Sequence, residues 1–234
     1  MPATVRAVIF DWGGTLTPWH NVDILGGWRA VAAHVAPDRA DELARALHDA
    51  EGAAWRRAER EHRSSTIHDV VTAAGVDVPA EVLERALDAY LEHWEPHTHT
   101  DAEVKALFAA LRDRGIKVGV LSNTTWPRAW HERIFARDGV LDLIDADVYT
   151  SEIAWTKPHP EAFRAALSAV GCAPGEAVFV GDRPFDDIYG ATSVGMRAVL
   201  VPHSNVPPYD VVPDGVVDRL SDLLPLLDRW LAGG

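Results

Sequence analysis

The sequence predicts an α/β protein: a doubly wound parallel sheet, Rossmann-like in its winding, with an inserted α-helical segment. Two observations lead there. Short, uniformly apolar, β-branched runs alternate with helix-spaced segments over most of the chain, while residues 17–100 carry helical patterns and no convincing strand. Alternation of this kind implies right-handed crossovers and helices on both faces of a parallel sheet.

Strands are expected at 5–10, 117–121, 148–150, 177–180 and 198–201, runs too short and too evenly apolar for a sheet with one wet face. Helical spacing marks 101–114, 126–137, 160–170 and 186–194. Pro160 suits the first position of its helix, with His159 as the preceding cap. Within 37–63, Leu43, Leu47, Ala50, Ala54 and Ala58 form one apolar stripe in a segment otherwise rich in Arg, Glu and Asp. Shorter helices fit 22–34, 66–74 and 79–94, with Gly75, Pro79 and Pro96 as breaks. The expected organisation is an α/β core from 1–16 and 101–234, with 17–100 as a helical cap.

A chain of 234 residues can bury a sizeable core, and 47% hydrophobic with 24% charged residues is ordinary for a globular protein. The net charge of -13, from 35 acidic and 22 basic residues, argues against a nucleic-acid surface, which needs clustered Lys and Arg. It leaves room for a locally positive pocket and a small anionic ligand. The one cysteine, Cys172, excludes an internal disulfide and fits a reducing compartment; its loop position reads as inert. With no leader pattern and no apolar run of membrane-spanning length, the expectation is a cytoplasmic protein, monomer or homodimer, without a membrane partner.

In open α/β sheets, chemistry collects at the carboxyl ends of the strands. Four such ends stand out. The first strand runs into Asp11-Trp12-Gly13-Gly14-Thr15, an acid followed by a flexible turn. The second ends in Ser122-Asn123, a hydroxyl and an amide able to bind an oxyanion. Thr156-Lys157-Pro158 places a cation ahead of a helix. The last, Gly181-Asp182-Arg183-Pro184-Phe185-Asp186-Asp187, gathers three carboxylates after a glycine turn. Converging carboxylates suit a hard cation such as Mg²⁺, and a carboxylate nucleophile beside it, with one lysine and one serine, suits phosphoryl transfer.

Each piece also has a plainer reading. Ser122-Asn123 alone is an ordinary turn, Lys157 could be a solvated loop cation, and Asp186 could cap the helix that follows it. Arg183 could contact phosphate or pair with Asp186. His97 and His99 read as solvated or substrate-lining histidines. The nine tryptophans read mostly as packing, with Trp12 and Trp19 as candidate pocket walls.

The order and spacing of the four motifs are similar to those of the haloacid dehalogenase superfamily, over nearly the whole chain. The resemblance implies that Asp11 is the nucleophile and forms an aspartyl-phosphate, that Ser122 binds the transferring phosphoryl group, and that Lys157 neutralises charge between the two. It implies Mg²⁺ on Asp11, Asp182 and the Gly13 carbonyl, with Asp187 or Asp186 acting through water. Gly13, Gly14, Thr15, Asn123 and His20 are the residues expected around the substrate. The long interval between Asp11 and Ser122 falls where many members insert a helical cap.

One position departs from the pattern. Phosphatases of the superfamily carry a second aspartate two residues after the nucleophile as general acid and base, a role worth roughly 10²- to 10⁴-fold. Here that position is Gly13. A substrate with a good leaving group, a replacement acid from the cap (His20 is the first candidate), or loss of catalysis would each fit. Phosphonoacetaldehyde hydrolases have an opening similar to Asp11–Thr15 but need a cap lysine, and 17–100 contains none. The 2-haloacid dehalogenases need no metal and lack the acidic cluster kept at 181–187. The reading is thus a Mg²⁺-dependent hydrolase, a phosphatase of a small phosphorylated metabolite. The alternatives are a catalytically silent binding protein on the same fold and, behind it, a dehalogenase.

Overall fold

A computed structural model describes residues 5–202 and 206–232. Six parallel strands form one sheet: β1 (Ala7–Phe10), β2 (Lys117–Ser122), β3 (Ala146–Tyr149), β4 (Ala177–Gly181), β5 (Arg197–Leu200) and β6 (Gly215–Val216). Their order is β3-β2-β1-β4-β5-β6, so the winding reverses at β1, which pairs with β2 on one side and β4 on the other. Alternate side chains of a strand point to opposite faces. Val8 and Phe10 of β1 accordingly join Val178 and Val180 of β4 in one core, while Ala7 and Ile9 join Ala177 and Phe179 in the other.

Helices cover both faces. α5 (Val104–Asp113) and α9 (Leu223–Ala232) send Phe108, Leu111 and Leu227 into the first core. α7 (Pro160–Val170) sends Phe163 and Leu167 into the second. Burying each such side chain contributes about 1.5–3 kcal/mol, which is why these uniformly apolar strands sit inside. α7 starts as expected: Pro160 is its first residue, the His159 ring nitrogen accepts from Glu161 N at 3.3 Å, and Gly171 ends it in the left-handed conformation.

Residues 17–100 form no strand. α1 (Ile24–Val35), α2 (Ala40–Glu61), α3 (Ile67–Ala73) and α4 (Ala80–Trp94) share a third hydrophobic cluster around Trp28, Leu47 and Tyr90. Thr66 and Asp69 close α3 with reciprocal side-chain bonds to each other's backbone. The chain leaves the sheet layer after Leu16 and returns at Asp101, where Asp101 N donates to Leu16 O at 2.8 Å.

Several expected boundaries move. The first strand begins at Ala7 rather than residue 5, and the third begins at Ala146 and ends at Tyr149, because Thr150 opens a 3₁₀ turn. β5 spans Arg197–Leu200 rather than 198–201. β6 was not expected at all; two residues are too few to carry a pattern. The helix expected at 186–194 is a π-helical turn, Pro184–Tyr189, running into the short α8 (Gly190–Ser193). α6 (Arg128–Arg137) starts two residues later than expected, after Pro127.

Candidate active site

β1 ends in Asp11, whose backbone N–H donates to Val180 O at 2.9 Å, so the nucleophile candidate is fixed by the ladder to the neighbouring strand. The turn that follows closes on itself: Thr17 N donates to Trp12 O at 2.9 Å and Gly14 N to Thr17 O at 2.7 Å. Gly14 has φ +91°, and a Cβ there would stand 2.2 Å from Trp19 Nε1 and 2.7 Å from Asp182 Oδ2, so only glycine fits. Gly13 is different: its φ is ordinary, and a Cβ would meet nothing within 4 Å.

Lys157 is 3% exposed and lies between two carboxylates, with Nζ 2.6 Å from Asp11 Oδ1 and 2.7 Å from Asp187 Oδ1. Burial alone would push its ammonium down, but Asp11 and Asp187 hold it above its ordinary value. Asn123 sets its backbone: Lys157 N donates to Asn123 Oδ1 at 2.8 Å, and Asn123 Nδ2 donates to Lys157 O at 3.1 Å. The amide expected to bind an oxyanion is therefore engaged in holding the lysine, although Asn123 also lines the cavity above the strand ends.

One carboxylate oxygen from each of Asp11, Asp182 and Asp187 lies within 4.8 Å of the others, and all three residues are buried. Trp19 Nε1 donates to Asp182 Oδ2 at 2.9 Å and Thr15 Oγ1 to Asp182 Oδ1 at 3.4 Å. Asp187 Oδ2 accepts from Arg183 N at 2.9 Å. Gly181 makes room for this, since a Cβ there would stand 2.4 Å from Asp187 Cγ. Burial pushes the carboxyls of Asp11, Asp182 and Asp187 up; Asp182 adds to the rise at Asp11, and Asp187 adds to that at Asp182. One ammonium against three carboxylates leaves the cluster with excess negative charge and oxygen donors only, a set that fits a hard divalent cation. Asp186 stands outside the cluster, with its carboxylate 3.6 Å from Arg183 Nη1.

A cavity of about 430 Å³ opens between these strand ends and the helical layer. Asp11, Gly13, Ser122 and Lys157 line its floor, and Trp19, Glu51, Trp55 and Trp94 belong to the segment above. Thr15 and Gly14 support the site from behind, Thr15 being buried against Asp182. His20 is not among the lining residues. It is exposed and lies against His97, ring centroids 5.4 Å apart, away from the cavity that Asp11 lines.

Sequence reading missed Glu51, 6% exposed on the buried face of α2. Its signal was its spacing, four residues after Leu47 on the apolar stripe. It also missed Trp55, Trp94 and Trp126, which join Trp12 and Trp19 as walls.

The chain is similar to several known proteins. A glyceraldehyde 3-phosphate phosphatase of Methanopyrus kandleri is 30% identical over 158 residues, covering 65% of this chain and 67% of that protein. A phosphatase of the same description from Methanothermobacter thermautotrophicus is 37% identical over 91 residues, and the chain spans only 39% of its length. A pyrophosphatase PpaX of Bacillus mycoides is 28% identical over 70% of this chain and 76% of that protein. Among solved structures, a HAD phosphatase from Thermococcus onnurineus superposes with a TM-score of 0.68 at 25% identity, covering 95% and 98% of the two chains. A 2-haloacid dehalogenase from Pseudomonas syringae superposes at 0.67, also at 25% identity, covering 97% and 100%. Residues 5–195 match the description "haloacid dehalogenase-like hydrolase", and with that span the chain belongs to the haloacid dehalogenase-like hydrolase family.

Proposed function

We propose that this protein is a Mg²⁺-dependent phosphomonoester hydrolase of small metabolites, working through an aspartyl-phosphate on Asp11, with residues 17–100 as a cap over the substrate. The observation that carries the reading is the Lys157 ammonium held between Asp11 and Asp187 on the floor of the cavity. A buried lysine between two carboxylates opposes the rise that burial gives the Asp11 carboxyl and holds that side chain in place.

An Asp11 carboxylate oxygen attacks phosphorus, the bond to the alcohol oxygen breaks, and Asp11 carries the phosphoryl group. Water then adds to the aspartyl-phosphate, giving inorganic phosphate and free Asp11. Ser122, 2% exposed at the end of β2, and Lys157 contact the phosphoryl oxygens. Asp11, Asp182 and Asp187, with the Gly13 carbonyl, would hold Mg²⁺, which when bound supplies charge neutralisation at the phosphoryl group. Gly13 offers no proton, so the leaving group either needs none or takes one from water in the cavity. The phosphatases among the relatives support this reading, as does the convergent acid cluster.

Likeness to a 2-haloacid dehalogenase, together with the absent acid at Gly13, favours a second reading, in which Asp11 displaces halide. One experiment separates them. Purified protein should release phosphate from p-nitrophenyl phosphate with Mg²⁺ and lose that activity in EDTA. Metal-independent chloride release from 2-chloropropionate, with no phosphate release, would transfer the assignment to the dehalogenase.

A further inference from the structure

The cavity holds a charge that phosphoryl chemistry does not use. Glu51 lies in the middle of α2 and is buried. Trp28 Nε1 donates to its Oε2 at 2.7 Å and Tyr90 Oη to its Oε1 at 3.2 Å. Trp28 and Tyr90 both act as donors, the arrangement that stabilises an ionised carboxylate. Among the described residues neither Glu51 nor Glu59, a second acid on the cavity wall, forms an ion pair with Lys or Arg, since Lys157 serves Asp11 and Asp187 and Arg183 serves Asp186.

The surroundings of this carboxylate are indoles. Trp55, Trp94 and Trp126 line the cavity with it, and Trp94 and Trp126 pack edge to face, centroids 5.3 Å apart. Indole faces carry negative potential and attract ammonium groups, most strongly where water is excluded. His48, one turn earlier on α2, favours the charged form only in part, a buried carboxylate without a Lys or Arg partner is costly, and a cation entering the cavity relieves that cost. A second anionic group on this wall would meet Glu51 and Glu59.

Resting on the phosphatase reading above, we infer that the substrate is the phosphomonoester of an amino alcohol. Its phosphate sits at Asp11 and Lys157, and its substituted ammonium sits against Glu51 among the indoles. A cavity of about 430 Å³ suits a molecule of that size. Burial pushes the Glu51 carboxyl up from its ordinary value, and a bound ammonium draws it back down. Glu51 also ties α2 to α1 and α4, so the test must move something that a structural tie would not.

That quantity is a selectivity ratio. Phosphocholine and its carbon isostere 3,3-dimethylbutyl phosphate differ only in charge, and kcat/KM for both is measured on one preparation, so the ratio is indifferent to the folded fraction. With Mg²⁺, the wild type should favour phosphocholine by roughly 30-fold. Glu51→Gln should bring the ratio near one, and Trp55→Ala, on the more open side of the cavity, should lower it several-fold even if Glu51→Gln folds poorly. Hydrolysis of p-nitrophenyl phosphate with no preference for the cationic ester, or a preference unchanged in both variants, overturns the inference and leaves the phosphatase reading standing. If no ester is hydrolysed, that reading fails, and choline binding followed by tryptophan fluorescence decides the cation site. Saturable binding to the wild type, lost in Glu51→Gln and not given by 3,3-dimethylbutanol, sustains it; no saturable binding overturns it.

Discussion

Trp19 Nε1 donates to Asp182 Oδ2 at 2.9 Å, so the segment leading into the helical layer is tied directly to the acid cluster. The bond orients a carboxylate proposed to hold Mg²⁺, and groups that orient a metal ligand typically influence affinity 10- to 100-fold. Trp19→Phe keeps an aromatic side chain and removes the donor. Calorimetric titration should show Mg²⁺ binding weakened by roughly 10-fold; unchanged affinity would mean that Trp19 merely packs there.

The acid cluster makes stability depend on pH and metal together. Asp11, Asp182 and Asp187 are held above the ordinary carboxylate range, by burial first, as is Asp186. A raised carboxyl contributes its full stability below the unfolded value of about 4 and loses it as pH rises through the folded value. Metal-free protein should therefore weaken as pH climbs through that window, and Mg²⁺ should restore more stability at pH about 7.5 than at pH about 5. Thermal unfolding with Mg²⁺ or EDTA at both pH values checks this. Equal shifts at both, or a shift surviving in Asp182→Ala, would contradict it.

Much of this was readable from sequence, and the gaps have physical reasons. The strands of the core declared themselves because both faces are buried, so Val8, Ile9 and Phe10 need no alternation. Asp11, Ser122, Lys157 and Asp182 could be placed because parallel strands bring their carboxyl ends to one edge whatever lies between them. Glu51 escaped because it sits in a segment crowded with charges, where a carboxylate reads as a solvated face. Trp94 and Trp126 escaped because their meeting depends on how the helical layer docks, which local periodicity does not encode. His20 misled by proximity in sequence: the turn after Thr17 carries it outward to His97.

His131 supplies a pH dependence of opposite sign. Its ring is fully buried, stacked on Tyr149 at 4.2 Å and edge-on to Trp12 at 4.7 Å. Burial pushes its imidazole down to about 3, with Arg128 adding to the fall. A lowered histidine contributes stability above its unfolded value of 6.5 and loses it as pH falls. Between pH about 6.5 and 5.5, wild type should lose about 1 kcal/mol relative to His131→Phe in urea unfolding. A constant difference across that interval would refute a buried neutral ring.

Gly13 is where acid catalysis can be added. A Cβ at this position meets nothing within 4 Å and the backbone is not left-handed, so Gly13→Asp should fold. At saturating Mg²⁺ its kcat on alkyl phosphates should rise roughly 10²-fold, because their alkoxide needs a proton, and only slightly on p-nitrophenyl phosphate. No gain on alkyl esters in a folded variant would show that the missing proton does not limit turnover.

The claim that Asp11 itself carries the phosphoryl group has a direct test. Protein turning over p-nitrophenyl phosphate with Mg²⁺ is acid-quenched, reduced with borohydride and digested, and the peptide containing residue 11 is read by mass spectrometry. An acyl phosphate reduces to an alcohol, so homoserine should be found at position 11, dependent on substrate and Mg²⁺ and absent from Asp11→Asn. Turnover with no modification at position 11, or with the reduced residue elsewhere, would contradict the account.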